Sequence, residues 1–195
     1  MGIWDEATLA GTGRELEAWL DGHVSEDSQG LWLVGAPATG ICTLLHDLVV
    51  DQGDFLDKLE TVRPWLVPAR PRRLEDGPHR QTPQQLAAYQ GTAQCINCLL
   101  CHAACPQVGL KPGFLGPAAL ALAHRYNADS RDAGWTARRD VLNAEDGVWG
   151  CTLVGHCSAV CPKAVDPAHA INQNKIGSTL DYVGLGRLLH KKGQE

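Results

Sequence analysis

CINCLLCHAACP, residues 95–106, and CTLVGHCSAVCP, residues 151–162, decide how this chain folds. The first run spaces Cys95, Cys98, Cys101 and Cys105 as C-x2-C-x2-C-x3-C and sets Pro106 behind the last of them. The second repeats that frame with Cys151, Cys157, Cys161 and Pro162, but Val154 stands where the middle cysteine belongs. Seven of the eight cysteines lie in these runs.

A tight C-x2-C-x2-C loop wraps three thiolates around one iron–sulfur cluster, and the fourth must come from elsewhere. In the bacterial two-cluster run, the cysteine before the proline ligates the other cluster, so paired runs exchange ligands. Cys105 and Cys161 hold that place. The crossover gives Cys95, Cys98, Cys101 and Cys161 to a [4Fe–4S] cluster and leaves Cys105, Cys151 and Cys157 for the other. Valine cannot bind iron, and a cube without its fourth thiolate readily loses the corner iron, so the second site is expected to be [3Fe–4S]. Cluster type, net charge and hydrogen bonds to sulfur spread potentials over roughly −700 to +450 mV. Two unlike clusters therefore give a directed electron step.

Two plainer readings fit less well. Structural zinc takes four ligands in a tetrahedron, whereas the first run alone supplies four thiolates with a trailing Cys-Pro. Disulfides belong to oxidising compartments, and no secretory leader heads the chain. Residues 81–110 and 147–162 contain no Asp, Glu, Lys or Arg, which suits a low-dielectric shell around buried clusters.

The chain has 195 residues, enough for one or two domains with a core. It carries 17 basic and 22 acidic residues, a net charge of −5, so nucleic acid is not an expected partner. No stretch reads as a span of about 20 apolar residues, and the chain is expected to be soluble or peripheral.

Taken in order, residues 12–20 read as a short amphipathic helix and residues 31–34 as a buried strand. The loop at residues 35–40 has the glycine spacing of a phosphate loop, but Ile41 and Cys42 replace the lysine and hydroxyl it needs, so nucleotide binding is rejected. Cys42 then reads as a small core residue. Asp54 is expected to cap a helix with Phe55, Leu56, Leu59 and Val62 on one face, followed by an exposed linker at residues 64–80. Thr82, Pro83 and Gln85 form a capping box that starts the helix into the first run. Further helices are expected from Gly116, over residues 135–143, and from Asp166-Pro167 to a stop at Gly177. The last stretch, residues 179–192, is weakly amphipathic. The fold class is thus mainly α.

These residues resemble a family. DLVVD (47–51), QTP (81–83), both cysteine runs, GPAA (116–119), HRYN (124–127), DSRD (129–132), GVW (147–149) and CPK (161–163) together resemble the iron–sulfur subunits of fumarate reductase and succinate dehydrogenase. The match runs over about residues 47–192, and Val154 is its most specific element. The resemblance implies a helical bacterial-type two-cluster ferredoxin domain at residues 82–195, behind a connecting helix and linker at residues 47–81. It implies a flavoprotein partner and membrane anchor subunits that hold quinone, with the chain on the cytoplasmic face of the membrane and peripheral through those anchors. It carries over the [4Fe–4S] ligands Cys95, Cys98, Cys101 and Cys161 and the [3Fe–4S] ligands Cys105, Cys151 and Cys157, the latter centre nearest the quinone. Gln107, Asn172 and Lys175 fall at or near its quinone-pocket positions. No catalytic residue is expected, and His102 and His156 are expected to hydrogen-bond cluster sulfur or nearby backbone at most.

The front departs from that family, whose members carry a plant-type [2Fe–2S] domain of about a hundred residues there. Residues 1–46 hold one cysteine and show none of that pattern, so no [2Fe–2S] cluster is expected on this chain. A separate polypeptide, a natural truncation, or a shifted frame or start accounts for this, and the abrupt resumption of the match at Asp47 favours the latter two. The rival functions are a stand-alone two-cluster ferredoxin or another reductase's iron–sulfur subunit, such as the heterodisulfide reductase type, and a remnant that still docks on membrane subunits.

Overall fold

The computed structural model describes residues 44–46 and 49–184. The helix and strand expected at residues 12–20 and 31–34, the loop at 35–40 and Cys42 lie outside them. Among the described residues the fold is helical apart from a small antiparallel ribbon in which β1 (Leu44–His46) pairs with β2 (Val49–Val50). Its register slips between the Leu44–Val50 and His46–Val49 pairs.

Helix α1 (Gly53–Thr61) starts where the Asp51 carboxylate accepts the Gly53 N–H at 2.8 Å. Asp54 is not the cap: it lies inside the first turn and pairs with Lys58 at 2.7 Å. The face that goes inward is Phe55, Leu59 and Val62, spaced four and three apart, while Leu56 points out at 54% exposure. These three side chains join the central core, so the connecting segment and the cluster region share one apolar interior.

The expected linker leaves the core at Val62 and is largely exposed, with one 3-10 turn at Leu74–Asp76. Its first residues are held by Arg138, which is fully buried. Arg138 donates to the backbone oxygens of Val62, Arg63 and Trp65 and to both carboxylate oxygens of Asp132, at 2.7–3.2 Å. A second buried carboxylate, Asp129, takes Arg125, Arg131 and Gln81. The DSRD segment is therefore a pair of arginine-satisfied anchors.

Helix α2 (Pro83–Gln90) begins with the expected capping box: Thr82 Oγ1 accepts from Gln85 N, and Gln85 Oε1 accepts from Thr82 N. Short helices α3 (Leu100–Ala103) and α4 (Pro106–Leu110) follow the first run, and α5 (Gly116–Asn127) opens at Gly116-Pro117 as the sequence predicts. Gly116 has a φ of +86°, and a Cβ there would sit 2.6 Å from His102 Nδ1. Helix α6 (Trp135–Asn143) separates the runs, and the four-residue α7 (His156–Ala159) lies inside the second.

Helix α8 (Pro167–Tyr182) is the main partner of α5. Ala118, Ala119, Ala121 and Ala123 are buried, and small side chains permit close helix approach. Asn174, 3% exposed, donates across the pair to Leu120 O at 2.8 Å. Asp166 caps α8 by accepting from His169 N at 2.9 Å. The expected stop at Gly177 is wrong. Gly177 lies inside the helix, where a Cβ would come 3.3 Å from Trp135 Cη2, so its missing side chain makes room for the indole rather than ending the turn.

Candidate iron–sulfur centres

The two cysteine runs fold as a structural repeat. Each is preceded by a 3-10 turn, Thr92–Gln94 or Val148–Gly150, and each ends in a short helix, α3 or α7. Between turn and helix the backbone visits the left-handed region twice: at Asn97 (φ +53°) and Leu99 (φ +61°) in the first run, and at Leu153 (φ +57°) and Gly155 (φ +85°) in the second. Cys98 and Val154 sit at the same point of the same loop, each between two left-handed residues. Val154 is half exposed.

The thiols sort into two cavities. Cys95, Cys98, Cys101 and Cys161 line one; Cys105, Cys151 and Cys157 line the other. Each cavity thus takes sulfur from both runs. All seven cysteines are free thiols. Burial, together with Cys95, Cys157, Cys98 and Cys161 alongside, pushes Cys101 up to about 12. Burial also raises Cys95, Cys105 and Cys157, with neighbouring thiols adding to it. Thiolates this crowded repel one another unless positive charge sits among them. Among the described residues no three His, Cys, Asp or Glu side chains converge as around a single metal ion. Sulfurs spread over the walls of a cavity suit a polynuclear group.

Helices α5 and α8 form the septum between the cavities. Pro117 faces the three-thiol cavity and Ala118 the four-thiol one; Ala168 and Pro167 divide in the same way. Among the described residues no Asp, Glu, Lys or Arg lines the three-thiol cavity, and Lys163 is the only one of these lining the other. Leu153 N–H donates to Cys151 Sγ at 3.3 Å. The uncharged window 81–110, however, is not buried as a block: much of it is surface, with Ile96 at 60% and Leu110 at 76% exposure. Lack of charge there marks an apolar surface as much as an interior.

The other singled-out residues are spread more widely. Gln107 is half-buried and lines the three-thiol cavity. Lys175 Nζ donates to Cys151 O at 2.6 Å and stands 5.9 Å from the Trp149 ring centre. Asn172 is exposed about one turn earlier on α8. His156 lines the three-thiol cavity, but His102 lines neither. Its ring is buried with both nitrogens unpartnered, edge-on to Phe55, and burial lowers it to about 4. It is a core histidine. The sequence reading missed Phe114, which is fully buried and lines the three-thiol cavity. It also missed Arg138; a lone arginine in a helix of mixed charge carries no signal of burial.

A helical domain with paired, cross-contributing cysteine loops defines the two-cluster ferredoxin class. Residues 91–165 match the 4Fe-4S dicluster domain family. Over about 70% of its length the chain is homologous to iron–sulfur subunits of fumarate reductase. It is 57% identical over 133 residues to the fumarate reductase iron-sulfur subunit of Mycobacterium tuberculosis, covering 68% of this chain and 54% of that one. The Haemophilus influenzae subunit is 52% identical over 148 residues, 71% of this chain and 58% of that one. A mitochondrial succinate dehydrogenase iron-sulfur subunit of Oryza sativa is 39% identical over 144 residues, covering 72% and 45%. The chain spans just over half the length of the fumarate reductase subunits it matches.

Proposed function

We propose that this chain is the electron-transfer iron–sulfur component of a fumarate reductase or succinate dehydrogenase, relaying single electrons between a flavoprotein and a membrane quinone. Cys95, Cys98, Cys101 and Cys161 hold a [4Fe–4S] cluster, and Cys105, Cys151 and Cys157 hold a [3Fe–4S] cluster. The observation that carries this is the sorting of seven thiols into a group of four and a group of three, with Val154 at the loop position of Cys98. These clusters, when bound, supply one-electron redox chemistry. The chain's own residues hold them, separate them with the apolar faces of α5 and α8 around Pro117, Ala118, Pro167 and Ala168, and keep water from their inner sides. Succinate oxidation releases two electrons and two protons, and quinone takes up two of each; the chain carries the electrons one at a time.

Gln107, Lys175 and Asn172 lie on segments that line or adjoin the three-thiol cavity, which supports a quinone site on that side. Trp149, Leu153, Val154 and Ile176 are exposed in the same segments, and exposed apolar side chains of this kind suit cover by a partner protein. Among the described residues no helix is long and apolar enough to cross a membrane. On this reading membrane contact belongs to anchor subunits, and the chain takes a peripheral place on the cytoplasmic face. Cys42 is the only cysteine of residues 1–195 outside the runs, and one thiol is too few for the four-cysteine ligation of a [2Fe–2S] cluster.

The test is an iron count and low-temperature EPR on anaerobically purified protein, oxidised and then reduced. The expected count is about seven irons per chain, four from the four-thiol site and three from the other. A [3Fe–4S] signal is expected when oxidised and a [4Fe–4S] signal on reduction. Two [4Fe–4S] signals would favour a stand-alone ferredoxin and sink the proposal.

A further inference from the structure

We infer that Phe114 is a positioning residue for the three-thiol centre: it forms the dry inner wall of that cavity and thereby holds down the centre's reduction potential. The inference rests on the [3Fe–4S] reading proposed above.

The two cavities differ in their inner walls. The four-thiol cavity is backed by small and aliphatic groups, among them Ala118, Ala121 and Val165. The three-thiol cavity is backed by Phe114, Pro117 and Ile171, all buried, and Phe114 is the only phenylalanine, tyrosine or tryptophan among the described residues lining either. The ring is also wedged against the backbone just before a ligand. A Cβ on Gly150, the residue before Cys151, would lie 2.5 Å from Phe114 Cδ2 and 3.1 Å from Cε2. That close approach is open to glycine alone.

The loop that carries the ring is pinned. Phe114 N donates to Lys111 O at 2.9 Å, and Leu115 N donates to Asp146 O at 3.0 Å. Lys111 Nζ bridges Glu145 and Asp146 at 3.0 and 3.2 Å. These ties fix the backbone from which the ring projects. Its counterweight is the outer lip, where Leu153 and Val154 are exposed at 44% and 52%. Phe114 is fully buried and fills the inner end of a cavity whose open side is this lip.

Reduction adds one negative charge to the centre, and low-dielectric surroundings disfavour added charge. A smaller side chain at position 114 deepens the cavity and lets water entering at the lip approach the centre, which favours the reduced form; solvent exposure is among the terms that set these potentials.

The test uses the loaded protein, with EPR-monitored redox titration of both centres in the same samples of wild type, Phe114→Leu and Phe114→Ala. The wild-type spectrum and iron count test the underlying reading separately, before any variant is compared. In Phe114→Ala the three-thiol centre is expected to become at least tenfold easier to reduce, an upward shift of 59 mV for one electron. Phe114→Leu, which keeps most of the apolar bulk, is expected to fall between. The four-thiol centre should stay at its wild-type potential in both. Unchanged potentials with both centres intact would overturn the inference, as would equal shifts at both centres, which mean general loosening. If Phe114→Ala loses the three-thiol centre, Phe114→Leu decides by the same criteria. Loss of the centre in both variants assigns Phe114 to assembly and overturns it too.

Discussion

Replacing Arg138 by methionine removes the side chain that ties the linker to the cluster domain. The guanidinium is fully buried and pairs with an Asp132 carboxylate that is 1% exposed. Breaking a buried pair by removing one partner costs about 3–5 kcal/mol. Asp132 keeps two donors, Gly134 N at 2.6 Å and Val67 N at 2.9 Å, which places the loss at the low end. The Val62 carbonyl belongs to a fully buried residue and loses its Nε donor, adding about 1–3 kcal/mol. Trp65 is half exposed, so its carbonyl can turn to water at little cost. The total is about 4–6 kcal/mol, and at about 2–4 °C per kcal/mol for a chain of this size the melting temperature should fall by about 8–24 °C. Adding Asp132→Asn removes the orphaned charge and should recover about 1–3 kcal/mol. The assays are anaerobic thermal melts of the loaded protein and trypsin cleavage within residues 63–80, which should speed up in Arg138→Met. A drop of less than 3 °C, or a further loss on adding Asp132→Asn, would refute the reasoning.

Val154→Cys should raise the iron count to about eight per chain and replace the [3Fe–4S] signal by a second [4Fe–4S] signal, because Val154 shares its loop position with Cys98; an unchanged count means the loop cannot present a fourth thiol. At Gly177, alanine should be near neutral in melts, since about 1 kcal/mol of helix propensity offsets the 3.3 Å approach to Trp135. Leucine there should cost about 1–3 kcal/mol through overpacking, and a stabilised leucine variant would contradict the packing described. Burial first, then His169 and against the help of Asn174, holds His124 below its ordinary 6.5. The folded state thus binds its proton less readily than the unfolded state, so stability is full above that value and declines as pH falls below it. His124→Asn should flatten this decline in melts taken from pH 8 to pH 5.5, and an unaltered slope would exclude His124 as a source.

The helical class and several boundaries were legible because they rest on local chemistry. The Thr82 capping box, the proline at the start of α5 and the Asp166 cap act within one turn, so the residues alone specify them. The grouping of the thiols could be read because each run is a tight loop with a fixed crossover. What could not be read depends on what lies across the gap in space. Gly177 looked like a stop because a glycine that ends a helix and one that admits an indole are identical in sequence. Asp54 has the chemistry of a cap, but Asp51 reaches the helix end first. Leu56 carries the hydrophobicity of its neighbours yet faces outward, and the uncharged window around the first run proved to be largely surface. Phe114 and Arg138 gave no sign of their roles, since nothing local marks a ring as a cavity wall or an arginine as a buried tie.

Each cavity draws thiols from both runs, and this bears on how the protein is made. When the first run leaves the ribosome it can offer Cys95, Cys98 and Cys101, while Cys161 is still 66 residues from Cys95 and unsynthesised. The second run in turn depends on Cys105, already displayed by the first. Neither run supplies all the thiols of its own cavity, so neither cavity is complete until α5 and α8 have paired. A chain cut short before Cys161 therefore lacks one of the four thiols that line the first run's own cavity.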